Sequence, residues 1–378
     1  MDANIAGKGF YRILIANQVI GDLQRLSPER AAEPYCSAGF VDLQINGFAG
    51  TDFSAPDLTE ASVLRVLEPI RATGVTSFCP TLVTGSLDLL ERNLRTLERV
   101  RAGSQDFAAS VPCYHMEGPY LSPGGAHGAH DPTLMRQPAW HEFKRLQEAA
   151  GGRIGVLTIA PELPGASELI ERVSGAGVLV GIGHTDGSPA DIHRAVRAGA
   201  RLSTHLGNGC AEFIHRHQTP IWAQLVSDGL SASMICDGFH LPPELIQAIA
   251  RLKGADGSIL ITDAIHVTGL DPGDYHLGPT PIRLLPSGQV ITRTTPSSMA
   301  GSTLTMNRAV ERFHTLGGVP LDIAIRAATA NPARLLGPAY GLCGELEPGA
   351  PANLAIWTRY AAELQIDAVF LNGLRHEF

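Results

Sequence analysis

The sequence predicts an α/β protein built on a closed parallel (β/α)8 barrel, and three observations carry that expectation. Eight short runs rich in apolar and β-branched residues recur along the 378 residues, each followed by a helical pattern, and this alternation implies parallel pairing. The runs are nearly continuous rather than alternating, as strands buried on both faces are. Four of them close on a metal-capable or proton-carrying side chain: CYHME on Glu117, VLVGIGH on His184, LSTH on His205 and ILITD on Asp263. In a parallel barrel such strand ends share one face, where catalytic residues collect.

The eight expected strands lie near residues 40–46 (FVDLQIN), 75–80 (VTSFCP), 111–117 (VPCYHME), 154–160 (IGVLTIA), 178–184 (VLVGIGH), 201–205 (RLSTH), 232–238 (ASMICDG) and 258–263 (SILITD). Helical patterns fill segments between them, among these 58–73, 86–102 and 188–198. The Gly-, Pro- and Thr-rich segment 266–300 reads as an excursion between the eighth strand and its helix. The ends do not fit the barrel. Residues 9–26 alternate, with Tyr11, Ile13 and Ile15 on one face, and ELEPGAPANLAIW and IDAVFLNG near the C-terminus look like half-exposed antiparallel strands. Residues 1–38 and 343–378 are therefore expected to form one small β domain, and residues 39–342 the barrel.

Composition excludes several classes of function. A net charge of −8 and a pI near 5.9 argue against nucleic acid or an anionic membrane as main partner, both of which call for a basic face. An anionic small molecule needs only a local cluster of donors. No apolar run approaches the roughly 20 residues of a membrane span, and the first twenty residues lack the pattern of a secretory signal. None of the six cysteines (Cys36, Cys79, Cys113, Cys210, Cys236, Cys343) sits in a C-x-x-C pair, which reads as free thiols in a reducing cytoplasm.

Glu117, His184 and His205 suit a metal site: one carboxylate and two imidazoles with room for water fit zinc or another divalent transition ion. The two histidines are 21 residues apart, one helix plus one strand. They would sit on neighbouring strands about 4.8 Å apart, close enough to share an ion. A lone strand-end histidine is more often structural; three strand ends together favour the metal. Asp263 is the candidate general acid/base, able to take a proton from water whose pKa zinc lowers from about 15.7 towards about 7 and to return it to a departing nitrogen. The alternative is an aspartate capping the next helix. His130, in GAHGAHDP, is a candidate to polarise a substrate carbonyl, and His240, in CDGFHLP, to donate to a hydroxyl. Asn208 and Gly209 offer an amide and a backbone N–H to an anion. Gly301, in SMAGSTL, reads as a helix start, where backbone N–H groups meet a ligand.

The ordered set GFVDLQING, HMEGPYL, GAHDP, GIGHT, THLGNG, DGFHLP, TDA, AGSTLTM and NPARLLG resembles the N-acetylglucosamine-6-phosphate deacetylases of the amidohydrolase superfamily, from about residue 39 to the C-terminus. The resemblance implies a metal-dependent barrel with a small β-sandwich domain, usually a homodimer, that cleaves acetate from an amino-sugar phosphate. By position, Glu117, His184 and His205 match the family's metal ligands, Asp263 its acid/base and His130 its carbonyl-polarising histidine, with Ala129 beside it in the substrate loop. Asn208, Gly209, His240 and the stretch Met299, Ala300, Gly301 match sugar and phosphate contacts. The superfamily often carries H-x-H at its first strand, where a second metal binds. Gln44 and Asn46 stand there instead, which implies a single divalent ion, with zinc expected ahead of iron, manganese or cobalt.

Two departures bear on the substrate. The family's N-A-M reads Asn208, Gly209, Cys210, and its R-E-P-G becomes Arg216, His217, Gln218, Thr219, Pro220, followed by Ile221 and Trp222. Arg216 still lies eleven residues after His205, as does the family's phosphate-binding arginine that reaches into the neighbouring subunit. The rival substrates are N-acetylgalactosamine 6-phosphate and an unphosphorylated N-acetyl sugar. A rival of another class, a barrel that has lost catalysis, is disfavoured because Glu117, His184, His205 and Asp263 are all present.

Overall fold

The computed structural model describes all residues except 31–32, 279, 294–298, 342–343 and 361–362. Eight parallel strands follow one another around the core: β1 (Phe40–Ile45), β2 (Val75–Val83), β3 (Tyr114–Glu117), β4 (Ile154–Ile159), β5 (Leu179–Ile182), β6 (Leu202–Ser203), β7 (Ser231–Met234) and β8 (Ser258–Leu260), each bonded to its sequence neighbours. Just past the end of β8 the chain meets β1 again. The Asp263 N–H donates to Gln44 O at 3.0 Å, and the Asn46 N–H to Ala264 O at 2.8 Å. Ile45 and Ala264 form a parallel bridge, which closes the barrel. The buried Asp42 carboxylate strengthens the seam, accepting from Thr262 Oγ1 at 2.6 Å and from the Thr262 N–H at 3.3 Å.

The helices sit where the sequence pattern expects them. Leu87–Gly103 is capped by Ser86, whose hydroxyl accepts from the Leu89 N–H, and buries Leu90, Leu94, Leu97 and Val100 against the sheet. Pro189–Ala198 opens with Pro189 in its first turn and a capping box between Ser188 and Asp191. The helix expected over 58–73 is two short ones, Glu60–Arg65 and Leu67–Arg71. Pro69 has no N–H to offer the preceding turn, which breaks the ladder there.

The excursion after β8 contains a three-stranded antiparallel sheet, Gly273–Leu277, Thr280–Leu284 and Val290–Thr292. It has its own apolar cluster, including Ile265, Ile282, Leu284 and Val290, with Ala129 packed against it. One local expectation is corrected here: Gly301 does not start a helix. The next helix is Met306–Gly317. Gly301 instead adopts a left-handed φ of +64°, which lets residue 302 bridge Ala264 as an added parallel pair beside β8.

Seven strands from the two ends of the chain form one mixed sheet, in the order Leu374–Glu377, Glu363–Leu371, Leu354–Tyr360, Tyr35–Ala38, Asp2–Ile5, Gly9–Ala16, Val19–Ser27. Alternation along Leu354–Tyr360 serves both faces. Leu354 and Ile356 join the sheet's own small core, while Ala355 and Trp357 enter the barrel core. Tyr35 stacks on Trp357 with ring centroids 4.5 Å apart. Cys36, Cys79, Cys113, Cys210 and Cys236 are free thiols; Cys343 lies outside the described residues. No helix among the described residues is long and apolar enough to cross a membrane.

Candidate active site

Three of the four strand-end residues share an unusual backbone. His184, His205 and Asp263 lie two or three residues beyond the ends of β5, β6 and β8, with φ of +49°, +33° and +51°. Side chains other than glycine rarely adopt this region, at a cost of about 1–3 kcal/mol each where strained. The surroundings hold each one. Ser122 N–H donates to His184 O at 3.0 Å, and Ser302 N–H donates to Asp263 O at 3.0 Å. Ser233 Oγ accepts from the His205 N–H at 2.8 Å. The turns swing the three side chains inward over the barrel mouth, towards Glu117 at the end of β3.

Glu117 Oε1 is the point of convergence. His205 Nε2 lies 2.8 Å from it, His184 Nε2 3.3 Å, and Gln44 Nε2 2.8 Å. His184 Nδ1 donates to Ala126 O at 3.0 Å, which fixes its tautomer and turns Nε2 to the centre. The His184 ring packs edge-on between those of His130 and His205, at 4.3 and 4.8 Å between centroids. Glu117, His130 and His184 bring candidate ligand atoms within 4.8 Å of one another. The His130 ring faces the other way at its second nitrogen: Nδ1 accepts from the Thr84 N–H at 3.4 Å and meets Thr84 Oγ1 at 3.0 Å. That leaves the proton on His130 Nε2, which lies 4.0 Å from Glu117 Oε2. A protonated Nε2 is a donor, not a ligand. The donor set that fits a divalent transition ion is therefore Glu117, His184 and His205, one anionic oxygen and two imidazole nitrogens aimed at one point.

Electrostatics separates the roles. Burial alone would raise the Glu117 pKa, but hydrogen bonds from His184 and His205 and their charge outweigh it and hold the carboxylate ionised. Asp263 goes the other way: burial, then repulsion from Glu117, push it up to about 6. His130 is driven down to about 3 by burial and then by His184, so it is neutral across the physiological range. Two carboxylates whose pKa values are pushed apart, beside a neutral imidazole donor, are an arrangement capable of acid/base chemistry.

The remaining expected residues take varied positions. His240 Nδ1 is bonded to Asp237 Oδ2 at 2.6 Å, and Asp237 Oδ1 accepts the backbone N–H groups of Phe239 and His240 at 2.8 Å each, leaving Nε2 of His240 free for a ligand. Asn208 and Gly209 line a small cleft beside His184, and Asn208 Nδ2 is buried without a partner. Gly209 has φ +58°, and a Cβ there would stand 2.9 Å from His184 Nδ1. Ala129 packs under the three-stranded sheet, and Met299 bridges Ile291 at the sheet's edge with Ala300 buried beside it. Arg216 is exposed and forms no ion pair among the described residues; its carbonyl accepts from Trp222 Nε1 at 3.0 Å. Sequence reasoning gave no role to Thr84, Ala126 or Asp237, and read Gln44 and Asn46 only as replacing a second metal's ligands. A further signal was the i, i+2, i+4 spacing of Asp42, Gln44 and Asn46, which puts three polar groups on one face of a buried strand.

Comparison with known proteins identifies the family. Residues 35–375 match the Amidohydrolase family. The N-acetylglucosamine-6-phosphate deacetylase of Danio rerio is 35% identical over 327 residues, 84% of this chain and 79% of the relative. The N-acetylgalactosamine-6-phosphate deacetylase of Escherichia coli O157:H7 is 31% identical, over 91% of this chain and 89% of its own length. Among solved structures, an aspartate-to-alanine variant of N-acetyl-D-glucosamine-6-phosphate deacetylase from Mycobacterium smegmatis, in complex with N-acetyl-D-glucosamine-6-phosphate, superposes with a TM-score of 0.87 at 32% identity, covering 99% of this chain and 98% of that one.

Proposed function

Because the chain belongs to the amidohydrolase family, among its N-acetylglucosamine-6-phosphate deacetylases, we propose that Glu117, His184 and His205 hold one divalent metal ion and that Asp263 and His130 carry the chemistry beside it. The protein removes acetate from N-acetylglucosamine 6-phosphate and gives glucosamine 6-phosphate. The observation that carries the residue assignment is the convergence of two imidazole nitrogens on Glu117 Oε1 beside a carboxylate of opposite electrostatic character.

A bound ion would act as a Lewis acid towards the amide carbonyl and the attacking water. Asp263, ionised, takes the proton of that water as it attacks. His130 donates its Nε2–H to the oxyanion that develops on the carbonyl oxygen, from a position fixed by Thr84. Asp263 then passes its proton to the departing nitrogen, and acetate and the free amine are the products. His240, Asn208, Gly209 and the stretch Met299, Ala300, Gly301, with Ala129, hold the sugar and its phosphate. Zinc suits the ligand set, and iron, manganese and cobalt share its N/O preference.

The assembly we propose is a homodimer in which Arg216 reaches the phosphate in the neighbouring site. Its support is the exposed guanidinium and the apolar surface beside it, where Phe213 is 90% and Trp222 51% exposed. Free cysteines fit a reducing compartment, the cytoplasm. The barrel, residues 39–342, would carry the chemistry, with residues 1–38 and 343–378 as its β domain. A second reading, an N-acetylgalactosamine 6-phosphate or unphosphorylated substrate, draws on the altered Gly207–Trp222 segment. The test of the mechanism is Asp263→Asn. It should retain metal by elemental analysis and lose about 10²–10⁴-fold in turnover; near-normal turnover would remove Asp263 from the mechanism.

A further inference from the structure

We propose that Gln44 is a positioning residue: one amide NH₂ spaces the Glu117 and Asp263 carboxylates and ties up Oδ1 of Asp263, so that proton transfer falls to Oδ2. This rests on the reading of Asp263 and Glu117 given above. Gln44 Nε2 lies 2.8 Å from Glu117 Oε1 and 2.9 Å from Asp263 Oδ1. Only the nitrogen of the amide can face two carboxylates, and its two protons serve one each. Asn46 Nδ2 adds a second donor to the same Oδ1, at 2.6 Å. Both hydrogen bonds described to the Asp263 carboxylate, from Gln44 and Asn46, end on Oδ1.

The amide is itself held rigidly. Gln44 is 1% exposed, its N–H donates to Asp42 Oδ1 at 3.1 Å, and its carbonyl accepts the Asp263 N–H at 3.0 Å. Strand β1 therefore grips Asp263 by backbone and side chain at once. Two buried carboxylates this close repel, and a bridging pair of N–H donors offsets that repulsion without adding charge. With Oδ1 doubly occupied, the carboxylate cannot rotate to exchange its oxygens without breaking two charge-assisted hydrogen bonds.

Gln44→Met, which keeps length and removes both donors, tests this in the metal-loaded enzyme. Hydrogen bonds to charged groups predict about a 10–100-fold loss in kcat, with KM and metal content by elemental analysis unchanged. Because the effect runs through Asp263, Gln44→Met should add no further loss in an Asp263→Asn background. An additive loss in the double variant, a raised KM with kcat intact, or unchanged kcat would each overturn the assignment of Gln44. Full turnover by Asp263→Asn alone would overturn the reading of the site itself, and Gln44's role with it. Should Gln44→Met fail to fold, Gln44→Ala and Asn46→Ala, each removing donors to Oδ1, are held to the same criteria.

Discussion

At the scale of single residues, the proposed site sets charge states against each other. Asp263 is pushed up to about 6 by burial and by Glu117, and as a base it works only when ionised. Activity should therefore rise with pH through about 6, with kcat/KM falling roughly tenfold per unit well below it; a flat profile from pH 5 to 7 would contradict the assignment. His130, neutral and donating from Nε2, contributes no limb in that range. His130→Ala should cost about 10²–10³-fold in kcat with metal content retained, as the loss of one oxyanion donor does. Glu117, His184, His205 and Asp263 were legible in the sequence because each ends an apolar run, a local signal. The contacts of Gln44 and Thr84 were not, because they depend on partners 73 and 46 residues away. No local pattern encodes that Gln44 would face two carboxylates.

At the scale of elements, strand order and position were legible because burial on both faces leaves continuous apolar runs. Details governed by single backbone conformations were less so. Pro69 divides a helix that periodicity alone would continue, and Gly301 places residue 302 beside β8 where a helix start was expected. Glycines in and after β5 show how little room the barrel interior leaves. A Cβ on Gly181 would lie 2.4 Å from Thr204 Oγ1, and one on Gly183 2.8 Å from Thr158 Cγ2. Those threonines bond each other at 2.8 Å, and Thr158 bonds His115 Nε2 at 2.8 Å, in a polar layer beneath the site. Gly181→Ala should destabilise the fold by about 1–3 kcal/mol through overpacking, read as a lower denaturation midpoint with unchanged slope. Unaltered stability would mean that this layer is looser than its distances imply.

At the scale of the whole molecule, the terminal sheet shares its Trp357 face with the barrel core, so the β domain and the barrel should unfold together. The proposed dimer gives a sharper test. Arg216→Ala and Asp263→Asn subunits, each nearly inactive, should complement when mixed under exchanging conditions. Random pairing restores about a quarter of the sites, half the dimers with one complete site each. No recovery, with mixed dimers demonstrated, would place Arg216 outside the neighbouring site.

The central claim, metal-dependent deacetylation of an amino-sugar phosphate, is tested most directly by acetate release from N-acetylglucosamine 6-phosphate against unphosphorylated N-acetylglucosamine, with zinc-loaded enzyme. The account predicts clear preference for the phosphate and loss of activity on metal removal. Acetate release that survives metal removal, or no release from the phosphorylated sugar, would contradict it.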